Sequence, residues 1–90
     1  MPDICKKFIV EGHVQGVGFR YHTCHEGLKL NTTGYAKNQP DGTVEVMVCG
    51  RPTDVDALER WLMTGPRTAH VQRVVREPCE YQLYRSFKIL

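Results

Sequence analysis

The prediction of the fold starts from nine residues: Gly12-His13-Val14-Gln15-Gly16-Val17-Gly18-Phe19-Arg20. The stretch holds three glycines and ends on an arginine. An apolar run, Phe8-Ile9-Val10, precedes it, and a segment of helical character follows it. The pattern therefore predicts a strand, then a glycine-rich loop, then the start of a helix.

The loop has the composition of an anion site. Glycine reaches positive φ without steric cost, so the backbone N–H groups of such a loop can converge on one point. A following helix start adds free N–H groups and the positive end of its dipole. Arg20 adds a planar, permanently charged fork that matches phosphate oxygens. The spacing fits neither a Walker loop nor the dinucleotide fingerprint, so the residues alone also allow a plain turn with a surface arginine.

Composition restricts the class of protein and its partners. Ninety residues predict a single domain over residues 1–90, and 24% charged with 41% hydrophobic residues indicate a soluble globular chain. A formal net charge of +2 is too small to indicate a nucleic acid or a membrane as partner. A small anion remains a suitable ligand, and we expect a monomer.

The sequence carries no signal for a membrane, for secretion or for a cysteine metal site. The chain has no apolar run near the roughly 20 residues of a membrane span, and its amino end lacks the layout of a signal peptide. We therefore expect a cytoplasmic protein. Its four cysteines form no C-x-x-C pair, which argues against a metal site.

Hydrophobic periodicity and turn residues predict the remaining elements. In chain order they are a strand at 5–11, a helix at 21–30, a hairpin of strands at 34–38 and 43–49, a second helix that ends at Gly65-Pro66, a strand at 70–76 and an edge strand at 84–89. The first helix is expected to bury Tyr21, Cys24 and Leu28. The second is expected to begin with Thr53 as N-cap, with Asp56 in a capping-box position, and to bury Val55, Leu58, Trp61 and Leu62.

This order of elements predicts an α+β fold. The simplest way to bury both helical stripes is to place the two helices against one face of an antiparallel sheet. The sequence thus predicts the ferredoxin-like split βαβ arrangement, βαββαβ, with a short additional edge strand at the carboxyl end.

Two cysteines fall near each other in this fold. The first and third strands are antiparallel neighbours, and alternation places Cys5 and Cys49 on the sheet face away from the helices. If the register aligns them, their Cα atoms lie within the roughly 4.4 to 6.8 Å window of a disulfide. A reducing cytoplasm opposes the bridge, so both states stay open.

Two blocks of sequence resemble the acylphosphatase family. The first is the signature G-x-V-Q-G-V-x-F-R, matched from Gly12 to Arg20. The second is G-[WYF]-x-x-N-x-x-D-G-x-V-E, matched by Gly34, Tyr35, Asn38, Asp41, Gly42, Val44 and Glu45. The resemblance covers essentially the whole chain, and its departures are Gly27, Asn31 and Thr32, away from the loop.

The resemblance implies an enzyme that splits the carboxyl–phosphate bond of acyl phosphates, such as acetyl or carbamoyl phosphate, without metal or cofactor. The catalytic arginine and asparagine of the family correspond to Arg20 and Asn38. Its phosphate-binding loop corresponds to Gln15, Gly16, Val17, Gly18, Phe19 and Arg20. The implied mechanism is in-line attack by a water that Asn38 orients, although Asn38 alone would be taken for a turn residue.

Other functions of the same fold remain as alternatives. A non-catalytic ferredoxin-like module could use the loop to bind or sense an anion. A related module begins larger hydrogenase-maturation proteins that handle carbamoyl phosphate. An RNA-binding sheet would need aromatic residues where the strand at 43–49 has Glu45 and Met47. The four histidines have no ligand-like companions, so we expect them at the surface.

Overall fold

Five strands and two helices follow one another in the predicted order. The computed structural model describes residues 2–90. The elements are β1 (Ile4–His13), α1 (Phe19–Lys29), β2 (Thr33–Asn38), β3 (Val44–Gly50), α2 (Pro52–Thr64), β4 (His70–Glu77) and β5 (Phe87–Ile89). The sheet has the strand order β4-β1-β3-β2-β5, and both helices contribute to one core on the same face. The predicted ferredoxin-like α+β fold is confirmed.

The core follows from alternation along the two central strands. β1 and β3 pair with Phe8 opposite Val46 and Val10 opposite Val44, and all four side chains are fully buried. The apolar stripe of α2 lies on them, with Val55, Leu58 and Leu62 also fully buried. Each such side chain contributes about 1.5 to 3 kcal/mol by leaving water. The predicted apolar face of α2 is confirmed, with Trp61 only partly buried against the same core.

The predicted apolar face of α1 is wrong at Tyr21 and Leu28, while Cys24 is partly buried against the core. The helix buries Phe19, Thr23 and Gly27, whereas Tyr21 is 66% and Leu28 52% exposed. The cause is a close approach to β5: a Cβ built on Gly27 would lie 2.5 Å from the Phe87 ring. Because small residues let the helix approach the sheet, the more apolar flank of α1 is left in solvent.

The end of α1 also involves the residues that depart from the family pattern. Asn31 has φ 60° and ends the helix in the left-handed region, as predicted. The buried Thr32 donates its hydroxyl to the carbonyl oxygen of Gly27 at 2.7 Å. Gly27 and Thr32 thus stabilise one tight connection between α1 and β2.

The predicted N-cap of α2 is also wrong. The helix begins at Pro52 with Arg51 as N-cap, so Thr53 lies inside the first turn. Proline at the first helical position fixes φ near −65° and lacks an N–H that would need a partner. Asp56 instead accepts a hydrogen bond from the Lys6 ammonium of β1 at 3.0 Å.

The sheet is mixed, not purely antiparallel as predicted. β5 pairs with β2 in parallel, with Gly34 opposite Phe87. The reason is that the last residues of β4 and the first residues of β2 lie at the same end of the strands, so the chain enters β5 from that end. The connection from 78 to 86 crosses the face away from the helices, where Tyr84 packs edge-on against Tyr35 at 5.9 Å. The predicted strand at 84–89 is therefore shortened to Phe87–Ile89.

Cys5 and Cys49 are directly opposite each other, as the predicted pairing requires. The structure joins them in a disulfide with their Cα atoms 4.0 Å apart, slightly closer than the expected window. The bridge closes a loop with a sequence separation of 44. In the chain-entropy model a loop of that size stabilises the fold by about 4 kcal/mol. Cys24 and Cys79 keep free thiols.

β1 continues two residues beyond its predicted end. The register with β4 shifts between Glu11 and Gly12, and Gly12 then lies opposite Val71. Gly12 has φ 133°, and a Cβ there would lie 2.2 Å from the carbonyl oxygen of His70. The first glycine of the stretch is thus a β-bulge residue of the sheet and lies outside the loop.

Candidate active site

The loop between β1 and α1 turns its amides toward one side. Gly16 and Gly18 have φ of 75° and 78°. Within residues 2–90 Asn31 is the only non-glycine residue with positive φ, so Val17 between them has negative φ. Alternation of the sign of φ directs successive N–H groups into one concave surface. A Cβ would meet nothing within 4 Å at Gly16, so the conformation and not crowding requires glycine there.

No described side chain caps the start of α1. Gly18 is the N-cap of this helix, and its first turn holds no acidic residue. The N–H of His22 donates to the carbonyl oxygen of Gly18 at 3.0 Å. The N–H groups of Phe19, Arg20 and Tyr21 therefore have no hydrogen-bond partner within the helix. Together with the positive end of the helix dipole, they favour an anion.

Arg20 stands at this opening. A cavity of about 120 Å³ is lined by Val14, Gly16, Gly18, Phe19, Arg20, Tyr21 and Ile89. The Nη1 atom of Arg20 donates to the carbonyl oxygen of Leu90 at 2.7 Å, which fixes one side of the guanidinium. A guanidinium has five N–H donors in one plane, so the donors that do not bond Leu90 remain for the oxygens of an anion.

The other predicted loop residues divide between backbone and side-chain roles. The Nε2 of Gln15 donates to the carbonyl oxygens of Gln39 and Thr43, both at 2.8 Å. Its side chain thus faces the β2–β3 hairpin, and the ring of Phe19 is buried in the core. The carbonyl oxygen of Val17 accepts the hydroxyl of Thr68 at 2.7 Å. These contacts hold the loop from both sides.

Asn38 lies at the same end of the sheet as the loop. It is the last residue of β2 and pairs with Val44, which in turn pairs with Val10 of β1 just before the bulge. The Oδ1 atom of Asn38 is buried and has no hydrogen-bond partner among the described residues. A buried acceptor in that state is unusual and requires an explanation, although Asn38 is not among the residues that line the cavity beside Arg20.

The other polar residues of the second block support the hairpin. Asp41 accepts both the N–H and the hydroxyl of Thr43, at 3.0 and 2.7 Å, and these hydrogen bonds lower the pKa of its carboxyl group. Tyr35 donates to Glu45 across the strands at 2.6 Å. Burial, and then this hydrogen bond, raise the pKa of Tyr35. The block therefore builds the hairpin that carries Asn38.

The cysteine bridge and the histidines are not at this site. Cys5 lies five residues before Val10 along β1, about 17 Å away at the rise of a strand. The four histidines are exposed, as predicted. Within residues 2–90 no three His, Cys, Asp or Glu side chains form a metal-binding group. None of the helices described is long and apolar enough to cross a membrane.

Several residues of the site carry no signal in the local sequence. Ile89 lines the cavity and Leu90 accepts the bond from Arg20, yet both are about seventy residues from the loop in the chain. Thr68 lies in the connection after α2. Only the strand order, which brings β5 beside β2, places the end of the chain next to Arg20.

The fold and this geometry define a ferredoxin-like domain with a glycine-rich loop and an arginine at an uncapped helix start. The acylphosphatase family model matches residues 6–89. An acylphosphatase of Vibrio parahaemolyticus is 60% identical over 86 residues, covering 96% of both chains. The structure of an acylphosphatase from Coxiella burnetii has a TM-score of 0.92 at 34% identity, covering 98% of this chain and 93% of that one.

A second solved structure is similar to this chain over a small part of a larger protein. Full-length HypF in a phosphate- and nucleotide-bound form has a TM-score of 0.84 at 26% identity, and the match covers this whole chain but 12% of HypF. The family match extends over nearly all of the chain, and the curated relative matches over nearly its full length. This chain belongs to the acylphosphatase family, as the two sequence blocks predict.

Proposed function

We propose that Arg20, the loop amides and Asn38 carry out the acyl phosphate hydrolysis that family membership assigns to this chain. The observation that carries the proposal is the open start of α1, where free N–H groups and Arg20 line one small cavity. The same donors would bind any phosphate. What adds chemistry is Asn38, whose buried acceptor lies at the same end of the sheet.

Binding of the phosphoryl group is the first task of the site. The amides of residues 16–20 and the free side of the Arg20 guanidinium would each donate to a phosphoryl oxygen. These donors are held in place by the hydrogen bonds that Gln15 and Thr68 donate and by the one that Arg20 donates to Leu90. Donors that do not have to reorganise stabilise the charge of the transition state best.

The leaving group explains why no strong acid is needed. In hydrolysis the water oxygen forms a bond to phosphorus, and the bond from phosphorus to the acyl oxygen breaks with its electron pair on that oxygen. The product is a carboxylate, which is stable without protonation at neutral pH. The proton of the water passes to a phosphoryl oxygen, so inorganic phosphate takes it up. Positioning and charge neutralisation are then sufficient.

Asn38 would orient the attacking water. Its amide cannot act as a base at neutral pH, but Oδ1 can accept a hydrogen bond from a water while Nδ2 donates to another group. The burial of Oδ1 without a protein partner supports this role. Because Gln15 donates to the carbonyl oxygen of Gln39, the residue after Asn38, a direct hydrogen bond links the loop to the strand end that carries Asn38.

The experiment is release of inorganic phosphate from acetyl phosphate in the presence of EDTA. Metal-independent turnover by the wild type is expected, with a loss of 100-fold or more in Arg20→Ala and in Asn38→Ala, on the order of one essential transition-state donor. Arg60→Ala, at an exposed arginine of α2, is the matched control and should keep wild-type activity.

Phosphate binding by calorimetry separates the roles. Asn38→Ala should still bind inorganic phosphate, whereas Arg20→Ala should not. A wild type that binds phosphate but turns nothing over would identify an anion-binding module instead. Loss of phosphate binding in Asn38→Ala would make Asn38 a structural residue of the hairpin.

We extend the proposal to the organisation of the protein: residues 1–90 act as one monomeric domain in the cytoplasm. The single core that both helices share with the sheet supports the proposal of one domain. Sedimentation tests the oligomeric state. Rapid alkylation under denaturing conditions at lysis tests the location, since a reducing compartment should leave Cys5 and Cys49 as thiols that are labelled and an oxidising one should preserve their disulfide.

A further inference from the structure

α1 carries an apolar flank that the described residues 2–90 do not cover. Tyr21 and Leu28 are seven residues apart, two turns along the helix, and are 66% and 52% exposed. Across the groove Ile89 of β5 is 45% exposed. These three side chains, which we call the acyl shelf, surround a cavity of about 150 Å³ together with Cys24 and His25.

The acyl shelf continues directly from the phosphate cradle. Tyr21 and Ile89 line both cavities, so they form a common wall between them. Arg20 holds this wall in place through its bond to the carbonyl of Leu90, the residue after Ile89. The larger cavity between α1 and α2, about 360 Å³, shares no described lining residue with the cradle.

The chemistry of the acyl shelf suits an uncharged group. Among the described residues that line it there is no lysine, arginine, aspartate or glutamate. The Cys24 thiol already donates to the carbonyl oxygen of Phe87 at 2.9 Å, and burial raises its pKa, so it stays neutral. Apart from the exposed imidazole of His25, the described lining offers an anionic group no basic partner for the water it loses, whereas an apolar group gains by leaving water.

We infer that the acyl shelf holds the acyl group of the substrate and makes the enzyme prefer apolar acyl phosphates to short or anionic ones. The inference rests on the proposed function, since the phosphoryl group must occupy the cradle. When the phosphoryl group occupies the cradle, the acyl chain extends past Tyr21 and Ile89 toward Leu28. The shelf then contributes binding that acetyl phosphate is too short to use.

The test compares kcat/KM for acetyl, hexanoyl and succinyl phosphates. Leu28→Ser should lower the value for hexanoyl phosphate about 5- to 20-fold and leave acetyl phosphate within about twofold. Leu28→Lys should raise the value for succinyl phosphate several-fold, because the ammonium supplies the missing partner. Met63→Ser is the matched control, at an exposed residue of α2 (57%) that lines neither cavity, and should change none of the three.

The outcomes separate the inference from the proposed function. Wild-type turnover of acetyl phosphate with no gain for hexanoyl phosphate would overturn the inference and leave the function standing. No turnover of any substrate would overturn both. Equal losses for all three substrates in Leu28→Ser would show a structural effect and overturn the inference. A wild-type dimer that Leu28→Ser dissociates would identify the shelf as an interface between copies, with the same result.

Discussion

The two helices of this protein begin in opposite ways. α1 starts after Gly18 in the left-handed region, with Arg20 in its first turn and no acidic residue there. α2 starts after Arg51 in the extended region, with Pro52 at its first position and Asp54 in its first turn. Neither helix receives a capping hydrogen bond from a described side chain.

The difference shows what makes a helix start a binding site. Proline removes one of the free N–H groups of α2, and the carboxylate of Asp54 offsets the positive end of its dipole. At α1 the chain supplies neither, and a loop with alternating φ adds further amides. Each helix has an arginine at its start, so the arginine alone does not define the site.

The largest effect is expected when the arginine at the start of α1 is replaced and the arginine at the start of α2 serves as the control. Arg20→Lys should lower kcat/KM for acetyl phosphate by about 100-fold or more, because an ammonium is a point charge without the planar fork. Arg51→Lys is the control at the start of α2 and should stay within about twofold. Near-normal turnover in Arg20→Lys would mean that charge alone is sufficient.

A second change gives α1 an acidic start like that of α2. Gly18→Asp places a carboxylate at the N-cap, where a Cβ meets the His22 ring at 3.5 Å, an ordinary contact, and the strain of a side chain at φ 78° is common to this variant and to Gly18→Asn. Phosphate binding, measured by calorimetry, should weaken about 10- to 100-fold because like charges repel at close range. Gly18→Asn has the same shape without the charge and should bind within about threefold of the wild type. Equal losses in both variants would point to the backbone and not to the charge.

A third change separates the cradle from the water-orienting residue. Gln15→Ala removes both bonds to the hairpin, so Asn38 should lose its position relative to the cradle. We expect kcat for acetyl phosphate to fall about 10-fold while the Kd for inorganic phosphate stays within about threefold. Gln72→Ala, at an exposed residue of β4, is the control. A parallel loss of phosphate binding would mean that Gln15 supports the cradle itself.

The smallest effect is expected at the start of α2. Asp54→Ala should lower the free energy of unfolding by about 0.5 kcal/mol, since a carboxylate in a first turn stabilises a helix by roughly that amount. Acetyl phosphate turnover should not change. Urea denaturation and the phosphate-release assay measure the two quantities, and a change in turnover would contradict the view that this helix start is purely structural.

Most of the fold could be predicted because its signals are local. The alternation of β3, the turn before Gly42 and the apolar stripe of α2 each lie within one element. Propensity was overruled where a distant contact decided the outcome. Phe87 determined the face of α1 by packing against Gly27, and the crossing of the open sheet face by residues 78–86 determined that β5 runs parallel to β2.

The candidate site divides in the same way. The sequence by itself determined the glycine loop, the arginine at its end and the asparagine of the second block, because each depends on a short pattern of residue types. Tertiary structure alone decided that Gln15 faces the hairpin, that Leu90 holds Arg20 and that Ile89 forms a wall of the cavity. The physical reason is that these contacts join residues of separate elements, and only the packing of helices and strands into one sheet and core brings such residues together.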